Sequence, residues 1–527
     1  MDKTIVYTKL SKALRDRRGS SLLTVVAATL IITTMTVAML TLTSTTLRGN
    51  IRLQTRASAL AVAESGAELG VLWLRDQAIP PTADQTITSG LSGTPPTGST
   101  WVVTLTNDVY NPTQFLKTYI ITCTGTVNGK SRQVKIVARQ STFGKYAYFT
   151  DRETSSSGGA IWWNSADNID GPVHSNNTGG TNFRIDYSGW NSNSPRRPIF
   201  QDILTGCGTG ITYTPSKPTT EAAFQKVFLN GSKGYLLGVN KVNLPPSTNA
   251  QKEAAWGGTS GFPATTGVYI RSDANGGKGG TYIQGNADIT MSVDASGNQL
   301  MTVKQGTNTT VVKYDITAGT TTRVSGPVGT GSATSATTFS NGVIFCNGAI
   351  TALKGTIADN KVANGAITRR SAWTICTDTN TSKDITITGS LVYQTKPDKT
   401  QDMSSAVNLA AGTLGLIAQD IKIADAGVSS PNNHPDRELD CVMLAGSSTV
   451  DGSISVNNYN DNKGKGKLTV IGGLIQSTRG IVASLSGGAV QSGYAKDYHY
   501  DQRLSTAPPP FYPTTGAYDR LSWEVVN

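Results

Sequence analysis

Histidine is nearly absent from this sequence of 527 residues, with three copies, and only 15% of the residues are charged. So few imidazoles leave little material for general bases or metal ligands. Cysteine is scarce too. Cys123, Cys207, Cys346, Cys376 and Cys441 form no C-x-x-C pair and have no His at ligand spacing, which speaks against a zinc site. An odd count leaves at least one thiol free. Cys346 and Cys376 sit in comparable apolar strands 30 residues apart, a candidate bridge between adjacent turns of a repeat, set against two small buried side chains. No G-x-S-x-G, H-E-x-x-H, Walker or G-x-G-x-x-G stretch has the right flanking elements. The formal charge of +11 is concentrated in the first 150 residues, and the remaining 377 are close to neutral, so net charge does not argue for nucleic acid.

The most informative absence runs from Ser20 to Leu47, where no residue is charged. As α-helix this stretch is about 42 Å long, enough to cross a bilayer core of about 30 Å. Thr24, Thr29, Thr33, Thr34, Thr36, Thr41, Thr43, Thr45 and Thr46 are spread through it, with hydroxyls able to bond back to helix carbonyls. Lys9, Lys12, Arg15, Arg17 and Arg18 precede it, so the positive-inside bias keeps residues 1–19 cytoplasmic and exports the rest. Ala57, Ala59, Ala61, Ala63 and Ala67 continue the pattern, and nothing breaks it before Pro80-Pro81. The expectation is one helix of about 55 residues, half of it in the membrane. A cleaved secretory signal has a shorter apolar core of about 7–15 residues. A plain transmembrane anchor is the simpler alternative.

Arg17-Arg18-Gly19-Ser20-Ser21-Leu22-Leu23 resembles a class III prepilin cleavage site, and Ala61-Val62-Ala63-Glu64-Ser65-Gly66-Ala67-Glu68 resembles the A-x-A-E-x-G-x-E stretch of the PilX-type minor pilin family. The resemblance covers about the first 75 residues. It implies cleavage between Gly19 and Ser20 by a prepilin peptidase and filament packing through Leu22, Leu23, Thr24, Glu64 and Glu68. Thr24 departs from the pattern, because major pilins carry a Glu there. That loss implies a tip or initiating position. Leu414–Ile423, Tyr500-Asp501-Gln502-Arg503-Leu504 and the run Pro508–Gly516 are similar to large minor pilins with an inserted β-solenoid, a group that includes a competence pilin of thermophilic bacteria.

Read in order, residues 1–19 are the leader and 20–77 the helix, with 20–47 as the transmembrane or filament-core part. Residues 78–142 are expected to form a pilin-like antiparallel sheet. Alternation marks strands over Thr100–Thr106, Leu116–Thr124 and Arg132–Ala138, and Asn128-Gly129 signals a tight turn between the last two. Residues 143–510 read as a large all-β insertion. Short strands recur mainly over 265–495, separated by Gly, Asn, Asp or Ser. Strict repeats are absent, and a β-solenoid is favoured over a sandwich or barrel because no long apolar run would fill a wide core. Asn341, Asn347, Asn364 and Asn457 are expected at its turns. Residues 511–527 alternate as a strand returning to the sheet. The fold class is thus α+β, a long helix and antiparallel sheet carrying an all-β domain.

Candidate ligand contacts are Trp162, Trp163 and Trp190, whose rings suit bases or sugars, and the basic loop holding Lys463, Lys465 and Lys467. Asp436, Glu438 and Asp440 beside His434 and Arg437 would be the carboxylate cluster of a membrane-anchored polysaccharide-acting enzyme, although a solvated loop is the plainer reading. His174 is expected to bond backbone at a turn, and His499 to pack among aromatics. Asp451, Asn457, Asn458, Asn460, Asp461 and Asn462 are oxygen-rich but match no calcium-loop spacing. The expectation is a non-enzymatic filament subunit with no catalytic residue, metal or cofactor. It would start in the bacterial inner membrane with a cytoplasmic N-terminus and end at the cell surface. Its partners would be other pilins, the peptidase, and DNA or a glycan. A type II secretion tip pseudopilin is the alternative.

Overall fold

The structure is a computed structural model. It describes residues 4–526 apart from 78–80, 82, 108–116, 156, 165–166, 179–182, 192–193, 196, 272–278, 328–334, 337–339, 425–434, 462–464 and 487–488, with the side chains of α1 described from residue 21. The chain divides into two compact units, residues 1–109, 119–138 and 520–527 in the first, and 110–118 and 139–519 in the second.

The first unit is built on one helix, α1 (Thr4–Arg75). It begins well before Ser20, so it is longer than the 55 residues expected. The reason is local: residues 4–19 contain no Pro, and one interior Gly19 costs only about 1 kcal/mol. Four strands follow, β1 (Gln85–Ile87), β2 (Ser99–Asn107), β3 (Thr118–Val127) and β4 (Lys130–Thr142). They form a sheet in that order, and the C-terminal strand Thr514–Val526 lies next to β4. Asn128 and Gly129 both have positive φ, 47° and 69°, as a two-residue primed turn between β3 and β4 requires.

Helix meets sheet through small residues. Ala59, Val62, Ala63, Ala67 and Leu74 are buried at helical spacing, with Gly66 and Gly70 on the same stripe. A Cβ on Gly125 of β3 would lie 2.4 Å from the Ala63 nitrogen and 2.6 Å from the Ala59 oxygen, and one on Gly66 would lie 2.5 Å from Cys123 Sγ. The backbones therefore approach as closely as glycine allows. Val103, Leu105, Ile121, Cys123, Val134 and Ile136 are the buried face of the sheet.

The second unit is organised by two parallel ladders. In the first, Ile344, Ile375, Leu416, Met443, Leu474, Tyr148, Val173, Leu204 and Tyr235 pair successively across nine rungs. In the second, Leu391, Leu439, Val470, Tyr498, Ile169 and Phe200 do the same. Stacking was expected mainly from residue 265, but the structure extends it to the strands Tyr148–Arg152, Asn168–Ile169, Val173–Ser175, Ile199–Phe200 and Leu204–Gly206. Four of these strands have only two or three residues and carry no readable alternation, and Tyr148–Arg152 is buried at three consecutive positions. Conversely, Ala287–Val293, Gln299–Gln305, Asn308–Asp315 and Thr320–Ser325 pair antiparallel with one another as a meander.

Rung order departs from chain order. The rungs of 148–237 stack onto the last rung of the later series, where Leu474 pairs Tyr148 and Tyr498 pairs Ile169. At this seam the early segment supplies Glu153 and Asp167, and the late segment supplies Arg479 and Lys496; the first three are buried and Lys496 is partly exposed. Arg479 Nη1 lies 3.2 Å from Glu153 Oε2, and Lys496 Nζ lies 2.5 Å from Asp167 Oδ1. The split order also requires a connector, described over residues 238–271 and 279–280. They are held in turn by Asn176 (Val242 N to Oδ1, 2.9 Å), by the Thr377 carbonyl (Thr248 Oγ1, 2.8 Å) and by Asn341 (Nδ2 to Ala254 O, 3.0 Å). This connector, with Phe143, Leu504 and Tyr512, covers the outer column Tyr282, Phe345, Cys376, Ile417, Leu444, Ile475 and Phe149. Both faces of the first ladder are therefore buried.

The five cysteines are free. Cys346 pairs Thr377 while Cys376 pairs Phe345, so the two thiols stand on opposite faces of the ladder. A one-residue offset in register rules out the bridge. Among the asparagines expected at left-handed turns, Asn364 has φ 52°, and Asn458 (57°) takes the place expected for Asn457. The Asn341 amide accepts from Val343 N at 3.0 Å, and Asn347 donates to Gln284 Oε1 at 3.0 Å.

Two substitutions test these contacts. Gly125→Ala overpacks the helix against the sheet and is expected to cost about 1–3 kcal/mol, read as faster hydrogen exchange of the β3 amides. Arg479→Met strands Glu153 at the seam and is expected to cost about 3–5 kcal/mol in denaturant unfolding; an unchanged midpoint would refute the seam's role.

Candidate functional site

Between Leu22 and Leu53 the side chains of α1 are exposed on every face, including Leu22 at 69% and Leu23 at 74%. No soluble monomer leaves so continuous an apolar surface to water. Thr29, Thr34, Thr36, Thr43 and Thr46 each donate to the carbonyl four residues earlier at 2.7–2.9 Å, and Thr24 donates to Ser21 O at 3.0 Å. The hydroxyls are satisfied within the helix, so the threonines present methyl groups and leave no backbone group wanting. Among the described residues this is the one helix long and apolar enough to cross a membrane. Gly19 and Ser20 lie in helical backbone, with side chains outside the described residues.

Glu64 and Glu68 stand half-buried where the helix reaches the sheet. Arg520 of the C-terminal strand donates to Glu68 at 2.5 Å and 2.6 Å, which ties the end of the chain to α1. Lys135 and Glu524 pair at 2.8 Å across β4 and the same strand.

Of the residues expected to touch a ligand, Trp162, Trp163 and Lys467 have described side chains. Trp163 is fully buried: Nε1 donates to Glu153 Oε2 at 3.0 Å, and the Arg479 guanidinium lies 3.9 Å from the ring centroid. Its aromatic faces are spent on the seam. Trp162 is half-buried, and Trp190 pairs by backbone with Pro195, its side chain outside the described residues. Lys463 lies outside the described residues, as does the side chain of Lys465. Lys467 is exposed and pairs with Asp497 at 2.7 Å.

Asp436, Glu438 and Asp440 are each engaged by other groups. His434 lies outside the described residues. Asp436 accepts from Lys467 N at 2.7 Å, and Glu438 pairs with Lys396 at 2.5 Å. Asp440 is fully buried, its Oδ2 accepting from Tyr393 N at 2.9 Å, and burial lifts its carboxyl from the ordinary range to about 7, with the neighbouring Glu438 adding to the rise. Its Oδ1 is buried without a hydrogen-bond partner of good geometry, with Glu438 nearby. Asp451 is engaged by Arg152. Among the described residues no group of three His, Cys, Asp or Glu is placed to hold a metal ion.

Two histidines differ from expectation. His174 bonds side chains, Thr205 Oγ1 at 2.9 Å and Asn176 Oδ1 at 3.0 Å, and burial lowers its pKa. His499 bridges Asp170 (3.3 Å) and Asp497 (3.0 Å), which raise its pKa. Sequence reading also missed what lies beside it. Lys396–Thr400, Val407 and Asn408 line a half-open cavity of about 480 Å³ together with Ile471 and residues 499–503. Arg503 donates to both oxygens of Asp501 (3.0 and 2.7 Å) and to the carbonyls of Ala411 and Gly412 (2.6 and 3.1 Å). The contacts join residues about 90 positions apart, which no local pattern announces.

No protein-family model matches the chain, and no curated protein does. Among solved structures it is similar to the competence-associated pilin ComZ from Thermus thermophilus, at 13% identity over 90% of this chain and 98% of that one, with a TM-score of 0.28. At that score the likeness carries no weight for fold or function.

The Asp440 carboxyl gives a signed pH dependence. Its folded pKa of about 7 lies above the unfolded value of about 3.9, so its contribution is fully present below pH 4 and lost as pH rises to 7. Asp440→Asn is expected to remove that slope and to gain most over the parent chain above pH 7, at about 1.4 kcal/mol for each tenfold difference in proton affinity between the folded and unfolded chain. Urea unfolding at pH 4, 6 and 8 measures it; a gain independent of pH would refute the assignment.

Proposed function

We propose that the chain is a minor pilin, of the PilX type, in a type IV pilus-like filament. The observation that carries this reading is the division of α1. Its N-terminal half is apolar and bare on all sides, while its C-terminal half is docked through alanine and glycine onto an antiparallel sheet. Such a helix is shed into lipid first and into a bundle of like helices afterwards, because both environments satisfy an all-round apolar surface. In this reading residues 1–19 lie in the cytoplasm, a prepilin peptidase cuts after Gly19, and Leu22, Leu23 and Thr24 pack in the filament core. Thr24 offers no carboxylate to a neighbouring amine, which favours a position at or near the tip.

The second unit is read as a β-solenoid, on the strength of its two parallel ladders, and as the part presented to the outside for adhesion or DNA uptake. We assign it no catalytic step, cofactor or metal. A tip pseudopilin of type II secretion would use the same helix.

Mass spectrometry of the protein from native membranes is expected to find an N-terminus at Ser20, and Gly19→Val is expected to keep the leader and exclude the chain from sheared filaments. A native chain that retains Met1 would reduce α1 to a plain anchor.

A further inference from the structure

We propose that the cavity lined by Lys396–Thr400, Val407 and Asn408 binds a neutral, hydroxyl-rich ligand, one sugar unit of a glycan chain; this rests on the adhesive reading above. Its volume of about 480 Å³ falls within the span of small-molecule sites, about 300–1,000 Å³. The floor is fixed by the second ladder, where Ile471 pairs His499 in parallel register and Tyr500 follows. Tyr500 is pinned, its hydroxyl donating to Gly144 O at 3.1 Å and its amide bonded to Asp170. Ile471, Tyr500 and Val407 supply apolar surface for the C–H face of a sugar ring.

Charge decides the ligand class. Every cation at the cavity already faces a carboxylate: Lys396 faces Glu438, Lys399 faces Asp170, Arg503 faces Asp501, and His499 stands between Asp170 and Asp497. Asp398 is a further acid, its oxygens held by Thr400 N (2.9 Å), Thr400 Oγ1 (2.6 Å) and Gln401 Nε2 (2.9 Å). A phosphodiester would meet these carboxylates with no uncommitted cation among the lining residues. A hydroxyl donates to a carboxylate and accepts from an ammonium at once, so it joins the pairs without breaking them. Lys396 and Lys399 are exposed, and their pairs reach two different rungs, which fixes the 396–399 stretch at the cavity's edge.

The test uses the full-length chain in a non-glycosidic detergent. It is titrated with maltotetraose, cellotetraose and lacto-N-tetraose, with the corresponding monosaccharides, and with a 12-base-pair DNA duplex, read by saturation-transfer NMR. Val407→Trp fills the cavity from a half-buried position and Thr400→Trp from its exposed rim, and circular dichroism confirms folding of each. Binding of at least one tetrasaccharide, weakened tenfold or more by either substitution, supports the inference, and stronger binding of the tetrasaccharide than of its monosaccharide supports a chain as the source. Absence of sugar binding by the parent protein overturns it, as does sugar binding that neither substitution changes. DNA binding indifferent to both substitutions, without sugar binding, also overturns it but leaves the adhesive filament reading standing. A retained Met1 removes the filament reading alone.

Discussion

Three buried charges and one partly exposed lysine at the ladder seam hold the larger unit to one arrangement. Glu153 and Asp167 come from the part of the chain that starts the stack, Arg479 and Lys496 from the part that finishes it. Parallel ladders pair by backbone alone and would accept a shifted rung, but a shift here would leave Glu153, Asp167 and Arg479 unpaired away from water. The cost of an uncompensated buried charge is several kcal/mol, more than a displaced hydrogen-bonded rung gains. Trp163 and Tyr148 stack against the same guanidinium, so the seam is specified by charge and closed by aromatic surface. The crossing connector, the buried outer column and the cavity all presuppose that the two segments meet there.

How much was legible follows from how local each signal is. The apolar helix and the hairpin at Asn128-Gly129 are written in consecutive residues, and both stand in the structure. The docking of α1 was written less openly, in alanines and glycines whose meaning depends on Gly125 arriving from β3. The parallel rungs of 343–478 could be read as recurring apolar strands. Those of 148–206 could not, because a strand such as Asn168–Ile169 is fixed by its neighbours rather than by its own alternation. Register was likewise invisible, and Cys346 and Cys376 were matched by composition when a single-residue offset keeps them apart.

The candidate ligand residues show the same limit in the opposite sense. A tryptophan beside a tryptophan reads as a stacking surface, yet Trp163 lies over Arg479 because the seam needs an indole N–H and an aromatic face. The residues that do line a cavity, Lys399, His499 and Asp501, come from segments about 100 positions apart. Only the ladder, which sets Ile471 beside His499, brings them to one cavity.

The larger unit leaves the sheet from β4 and returns through its neighbour. Phe143 N bonds Pro513 O at 3.0 Å and Thr515 Oγ1 bonds Ser141 O at 3.2 Å, at the two ends of that excursion. One cut by a protease anywhere between them yields two fragments, one continuous with α1 and one ending in the strand Thr514–Val526. The second fragment stays zipped to β4 along that strand, clasped by Arg520 on Glu68 and Glu524 on Lys135. A single nick would therefore mark the protein on a denaturing gel without detaching anything from its helix.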